Sequence, residues 1–281
     1  MSTEAATAPL ASFEAKWAEA YPEFALALRF DSEAGHAARS AFACLVFELE
    51  HAAFGIREAQ PAAIKLQWWA EEFVRAGKGE ARHPLTQALG TRIVAATIPT
   101  AHWHRVIFGA LAQREPEPAA NSAALLDGYA SLYTPIATIE AALFGTHADA
   151  IARALTLTRT LREGAGLATA LRDGKLPLPL DLLARHRLAR GDLAAVSDAR
   201  SQALGDAFGG FGSELRKLVE GRALAERPLG VVRATMAAAD ARRAVQAARA
   251  SEPLAAMNAA LARLSIPVVW SAWRAARRSR A

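Results

Sequence analysis

Along almost the whole chain, apolar residues recur at three- and four-residue steps, and short breakers separate one such run from the next. Between residues 31 and 54 the recurring positions are Ala38, Phe42, Leu45, Val46, Leu49 and Ala53. That is the spacing of one helix face. Alanine is abundant and β-branched runs are few, which favours helix over strand. Asp31 or Ser32 suits the N-cap of this run, and Ser12 suits that of an earlier one interrupted at Pro22. Pro61 opens a helix to about Ala76, because a first-turn proline loses no intrahelical bond. GKGEARHP, residues 77–84, reads as a loop. Further helices are predicted over 84–96, 100–113, 121–145, 147–172, 179–187, 197–222, 228–249 and 253–278. Pro135 predicts a kink within one of them.

The chain has 281 residues, 52% hydrophobic and 22% charged, enough to bury a sizeable core in one domain. REPEPAAN, residues 114–121, is a short linker between helices of similar character and not a domain boundary. The expected organisation is a flexible N-terminus over residues 1–10 and a helical domain over 11–281. No apolar run approaches the roughly 20 residues needed to span a bilayer. The N-terminus carries acids and lacks the pattern of a secretory signal. A cytoplasmic protein is expected. Cys44 is the single cysteine, which excludes an internal disulfide. It lies in the apolar run AFACLVF and reads as a small buried residue.

The net charge is +5. The basic excess gathers at the C-terminus, in WSAWRAARRSRA. No basic stripe with interleaved aromatics runs through the body, so no nucleic-acid partner is expected. His102 and His104 are two apart on a helix and diverge, which is poor geometry for a shared metal. Trp68 and Trp69, adjacent on a helix, both read as core. No G-x-S-x-G, P-loop or G-x-G-x-x-G stretch occurs, so hydrolase and nucleotide-binding readings lack support.

Two stretches carry more than helix. The first, residues 47–73, contains IKLQWW followed by acids, and HPLTQAL follows at residues 83–89. The second joins REGAGLATALRD, residues 162–173, to RDGKLPLPLDLLARHRL, residues 172–188. In order and spacing, across about residues 40–190, they resemble the squalene/phytoene synthase family. The resemblance implies an all-α, single-domain, isoprenoid-synthase-like helical bundle with a central cavity. In active members two aspartate-rich helices face each other across that cavity. They hold Mg²⁺, which binds prenyl diphosphates and neutralises the leaving group.

This chain departs from both aspartate motifs. The outer positions of the first fall by register on Ala52 and Ile56, which cannot bind metal. Glu48 and Glu50 are two apart, so they point about 160° from each other around a helix. Of the second motif Arg172 and Asp173 persist, while Gly166 and Thr169 replace its amides and the acids after Asp173 are missing. Asp173 thus reads as the remnant of a lost metal motif, held as a surface or ion-paired acid. No catalytic or metal-binding residue is assigned, and no cofactor is expected. Candidates for ligand binding are Arg172, Asp173, His51 and Gln67.

These departures point to a catalytically degenerate member of the family. It would bind an isoprenoid or other lipid, or assist assembly of a membrane complex, as a mitochondrial relative does for respiratory complex I. The alternative is an active prenyltransferase condensing two prenyl diphosphates head-to-head, which would need Mg²⁺. A third reading is a helical scaffold with no ligand. No particular protein partner can be named from the sequence. At the C-terminus Trp270 and Trp273 share one helix face, and Arg274, Arg277 and Arg278 supply charge. The segment suits an anionic membrane surface, which would place the protein peripherally on the inner face of the membrane.

Overall fold

The computed structural model describes residues 3–30, 36–220, 230–263, 268–270 and 272–273. Among these the secondary structure is helical, with no strand. Helices α1 (Thr3–Ala20) and α2 (Pro22–Leu28) meet at Tyr21, where Pro22 takes the first-turn position. Helix α1 begins earlier than Ser12, inside the segment 1–10. Helices α3 (His36–Glu50), α4 (Ala59–Gly77), α5 (Pro84–Ala95) and α6 (Thr100–Ala112) follow. Then come α7 (Ser122–Phe144), α8 (Ala148–Ala165), α9 (Leu167–Arg172) and α10 (Leu180–Arg185). The series closes with α11 (Asp198–Glu220), α12 (Gly230–Ala247) and α13 (Pro253–Leu261).

Helices α7 and α8 form the central pair, with α6 beside α7 and with α11 and α12 beside α8, while α3 reaches α7 through Phe42 on Phe144 and Glu50 on Tyr133. Gly145, in the left-handed region at φ 69°, ends α7 and turns the chain back into α8. Helix α7 runs from Ser122 through Pro135 to Phe144. Pro135 has no N–H, so the Ser131 carbonyl one turn earlier loses its intrahelical donor. The backbone of α6 lies against that carbonyl at Gly109. A Cβ on Gly109 would sit 2.7 Å from Leu132 Cα, closer than any real side chain tolerates.

On the far side of α6 the core is aromatic. Trp69 stacks on Phe73 and Phe73 on Trp103, with centroids 5.6 Å and 4.3 Å apart. Trp68 differs from expectation. Its neighbour Trp69 is 1% exposed, but Trp68 is 39% exposed and leans edge-on against His83. Residues one apart on a helix face about 100° from each other, and only one of the two could reach this core.

The loop before α5 is tied down by Glu72, which is fully buried. Its carboxylate accepts the backbone N–H groups of Arg82 at 2.7 Å and His83 at 2.8 Å, and the Thr86 hydroxyl. Arg75 adds an ion pair at 3.1 Å. A buried carboxylate is tolerated here because donors surround it.

Candidate functional site

Helix α3 does not stop cleanly at Glu50. Residues His51–Gly55 form one wide π-helical turn, and Ile56 then leaves in an extended conformation. Glu48 and Glu50 point to opposite sides, as their spacing predicts. Glu48 turns outward to Lys16 and Lys65, at 2.7 and 2.5 Å. Glu50 turns inward and accepts the Tyr133 hydroxyl at 2.6 Å. Burial, with Glu50 adding to it, raises the pKa of Tyr133 well above the ordinary phenol value, so it remains the donor.

The centre of the bundle holds a small, partly open cavity of about 50 Å³. Its apolar wall includes Trp17, Val46, Phe47, Leu155 and Met236. Its polar wall includes Tyr21, Glu50, Tyr133, Arg159, Arg162 and Arg233. A second space of about 50 Å³ lies toward the ends of the motif segments, against Phe54, Tyr129, Glu163 and Lys175. A cation–π contact stands between the two. The Arg159 guanidinium sits 3.4 Å from the centroid of Phe54, and Arg159 pairs with Glu163 at 2.6 Å. The expected central cavity is therefore partitioned into an inner and an outer compartment.

The arginines of the inner compartment are held from behind. Arg162 bonds Asp240 through Nε at 2.9 Å and approaches Glu23 at 3.4 Å. Arg243 closes this ring, 2.7 Å from Glu23 and 3.0 Å from Asp240. Arg233 forms a fork on Glu140, with its closest contact at 2.9 Å. Burial alone would raise the pKa of Glu23, but the hydrogen bond from Arg243 and the two nearby guanidinium charges hold it below the ordinary carboxylate value.

Asp173 ends α9 and pairs with Arg57, whose Nε lies 3.3 Å away across the gap between the two motif segments. Arg172 is exposed and bonds the Thr169 hydroxyl at 3.0 Å. Gln67 is exposed on α4. His51 lies on the side of α3 that faces Lys16 and Lys65. Burial, with those two cations, lowers its pKa. None of these four candidates lines either compartment. The residues that do line them went unassigned at the sequence level, apart from Glu50, which stood out only as an acid near the first motif. Arg159 and Glu163 are spaced i, i+4, and that pairing alone was a visible signal.

At C-terminal positions 268–270 and 272–273 the chain is helical, and Trp270 stacks on Trp273 with centroids 4.7 Å apart. They are 55% and 37% exposed. Arg274, Arg277 and Arg278 lie outside the described residues.

The squalene/phytoene synthase sequence profile matches residues 19–276. The chain belongs to the squalene/phytoene synthase family. The fold agrees with solved structures of that kind. The squalene synthase HpnC from Alicyclobacillus acidocaldarius superposes with a TM-score of 0.67 at 14% identity, over 94% of this chain and 98% of that one. A dehydrosqualene synthase in complex with ligand gives 0.66 at 13%, over 87% and 86%. No curated protein matches the chain.

The resemblance implies magnesium between the two motif helices, and the side chains there do not fit it. Ala52 is fully buried and Ile56 offers no oxygen from its side chain. Asp173 is engaged by Arg57 and Glu163 by Arg159. Among the described residues no three His, Cys, Asp or Glu side chains gather as a metal site. Mg²⁺ bound to diphosphates needs one or two free carboxylates.

Proposed function

We propose that this family member does not condense prenyl diphosphates and instead holds one isoprenoid or similar lipid chain in the inner compartment. The observation that carries this reading is that ion pairs engage both Glu163 and Asp173, the acids of the second motif segment near the cavity. Where a synthase needs free carboxylates facing open space, this chain has Arg57 on Asp173 and Arg159 on Glu163. The guanidinium of Arg159 also occupies the passage beside Phe54. Most of the wall of the inner compartment is apolar, as in small-molecule sites, and its volume of about 50 Å³ must widen to admit a chain.

A lipid handler works where lipids are. No helix among the described residues is long and apolar enough to cross a membrane. The proposed location is cytoplasmic, with peripheral contact to the inner face of the membrane through the Trp270–Trp273 segment. Assistance to assembly of a membrane complex fits the same location.

The test has two arms. Native mass spectrometry of the purified protein, with extraction, should find a single-chain lipid in about equimolar amount. Incubation with farnesyl or geranylgeranyl diphosphate and Mg²⁺ should yield no C30 or C40 product. Steady turnover in the second arm would establish the prenyltransferase reading instead.

A further inference from the structure

The outer face of the α6–α7 pair carries a groove of about 510 Å³, open to solvent. Gly109, Ala112, Ala130 and Pro135 give it a lining of small residues. Phe108 borders it and is 69% exposed, the most exposed large apolar side chain among the described residues. Arg105 and Asp127 line it as well, and both are exposed. Neither of these two side chains has a hydrogen bond or ion pair among the described residues.

Two contacts fix the register of the helices. Gly109 lies against Ser131 and Leu132. Gln113, one turn further along α6, donates to the Gly128 carbonyl, one turn back along α7, at 2.9 Å. The helices therefore run antiparallel. Arg105 stands four residues before Gly109, and Asp127 four residues before Ser131. On antiparallel helices, equal steps back lead to opposite ends. At 1.5 Å per residue each charge lies about 6 Å from the level of Gly109, so the two are about 12 Å apart along the groove. The groove thus has a cationic end, an apolar middle at Phe108 and an anionic end.

Such a pattern is complementary to itself once reversed. A two-fold axis that lies in the interface and runs across the groove at its middle reverses the second copy. It brings the Arg105 end of each copy over the Asp127 end of the other, so the charge pairing occurs twice. It also brings the two Phe108 rings together over the small-residue linings, where aromatic anchors are effective. Helices α6 and α7 are already packed backbone to backbone, so the surface is preformed and loses little freedom on pairing.

We infer that the α6–α7 groove is the docking surface for a second copy of this chain in a two-fold dimer. The occupant is chosen by charge complementarity, and the inference is independent of what the bundle holds inside.

Sedimentation equilibrium of the full chain at low salt, from about 1 to 200 μM, tests this. The unaltered chain should pass from monomer toward dimer within that range. Phe108→Ser should leave it monomeric throughout. Arg105→Asp sets like charges opposite each other twice and should raise the dissociation constant at least about tenfold, as should Asp127→Arg. Arg105→Asp combined with Asp127→Arg should restore it to within about threefold of the unaltered value. All three positions are exposed, and circular dichroism of each variant confirms the fold. A chain that is monomeric at every concentration overturns the inference. So does a dimer indifferent to Phe108→Ser, which would pair through another surface, or a double swap no tighter than the single ones.

Discussion

Arg57 Nε lies 3.3 Å from Asp173 Oδ1 and ties the end of the first motif segment to the end of the second. The pair is an outer latch, with side chains 73% and 32% exposed. Water and salt screen it, so its strength is modest. Asp173→Asn should lower the unfolding free energy by less than about 1 kcal/mol in urea titration. It should leave prenyl diphosphate turnover at the background of the unaltered chain. A measurable turnover lost in this variant would show that Asp173 works in catalysis.

The buried ring of Glu23, Arg162, Asp240 and Arg243 should behave differently. Asp240 is fully buried between two guanidinium groups. Asp240→Asn removes the charge that both of them face and should cost about 3–5 kcal/mol. Urea unfolding followed by circular dichroism measures it. A loss under 1 kcal/mol would mean that water already screens the ring.

Acid should unfold the protein in a definite window. In Glu23, Glu48 and Glu72 burial acts upward, but hydrogen bonds and neighbouring cations outweigh it and hold each pKa below the ordinary value of 4.5. Groups with a lowered folded pKa contribute their stability above the unfolded value. That contribution is lost as pH falls below about 4.5 toward the folded values. The urea midpoint should fall gently below about pH 6.5, where His51 and His83, whose pKa values burial lowers, take up protons on unfolding, and drop steeply below 4.5. Glu72→Gln should make the drop shallower, while an unchanged slope would exclude Glu72 as a contributor.

Gly109→Ala should destabilise the fold although alanine is the better helix former. The added Cβ meets the backbone of α7 rather than a side chain that can turn away. Overpacking of this kind costs about 1–3 kcal/mol. The control Gly90→Ala, on α5 with open space around it, should be neutral or stabilising. Equal effects from the two substitutions would refute the close approach.

Truncation after residue 267 should abolish sedimentation with anionic vesicles at low salt. Trp270 and Trp273 present exposed rings, and the sequence beyond them carries Arg274, Arg277, Arg278 and Arg280 without an acid. Each arginine near such a surface contributes about 1 kcal/mol, screened within about 8–10 Å. Equal sedimentation of the truncated and intact chains would place the contact elsewhere.

Most helices could be read from periodicity and breakers, because apolar spacing and first-turn prolines act locally. The predicted 84–96, 100–113 and 121–145 became Pro84–Ala95, Thr100–Ala112 and Ser122–Phe144. That Ala52 and Ile56 carry no carboxylate was visible. The ion pairs of the acids present were not. Arg57 meets Asp173, and Arg162 meets Asp240, only after the chain has folded. No local rule joins residues so distant in sequence. The same applies to Trp68, whose exposure depends on where α6 ends up, and to Arg159, whose contact with Phe54 needs α3 and α8 side by side.

The contact of α6 with the carbonyl freed by Pro135 also decides which side of the cavity can yield. Backbone against backbone leaves no side chain to swing aside, so α6 and α7 act as a fixed jamb. The inner compartment lies away from that contact, where Trp17 of α1 and Tyr21 form part of its wall. There α1 is held to α3 by side chains: Lys16 on Glu48, and the Ser40 hydroxyl on Glu14. Water can replace such bonds one at a time, so the bonds that hold α1 are softer than the backbone contact of α6 with α7.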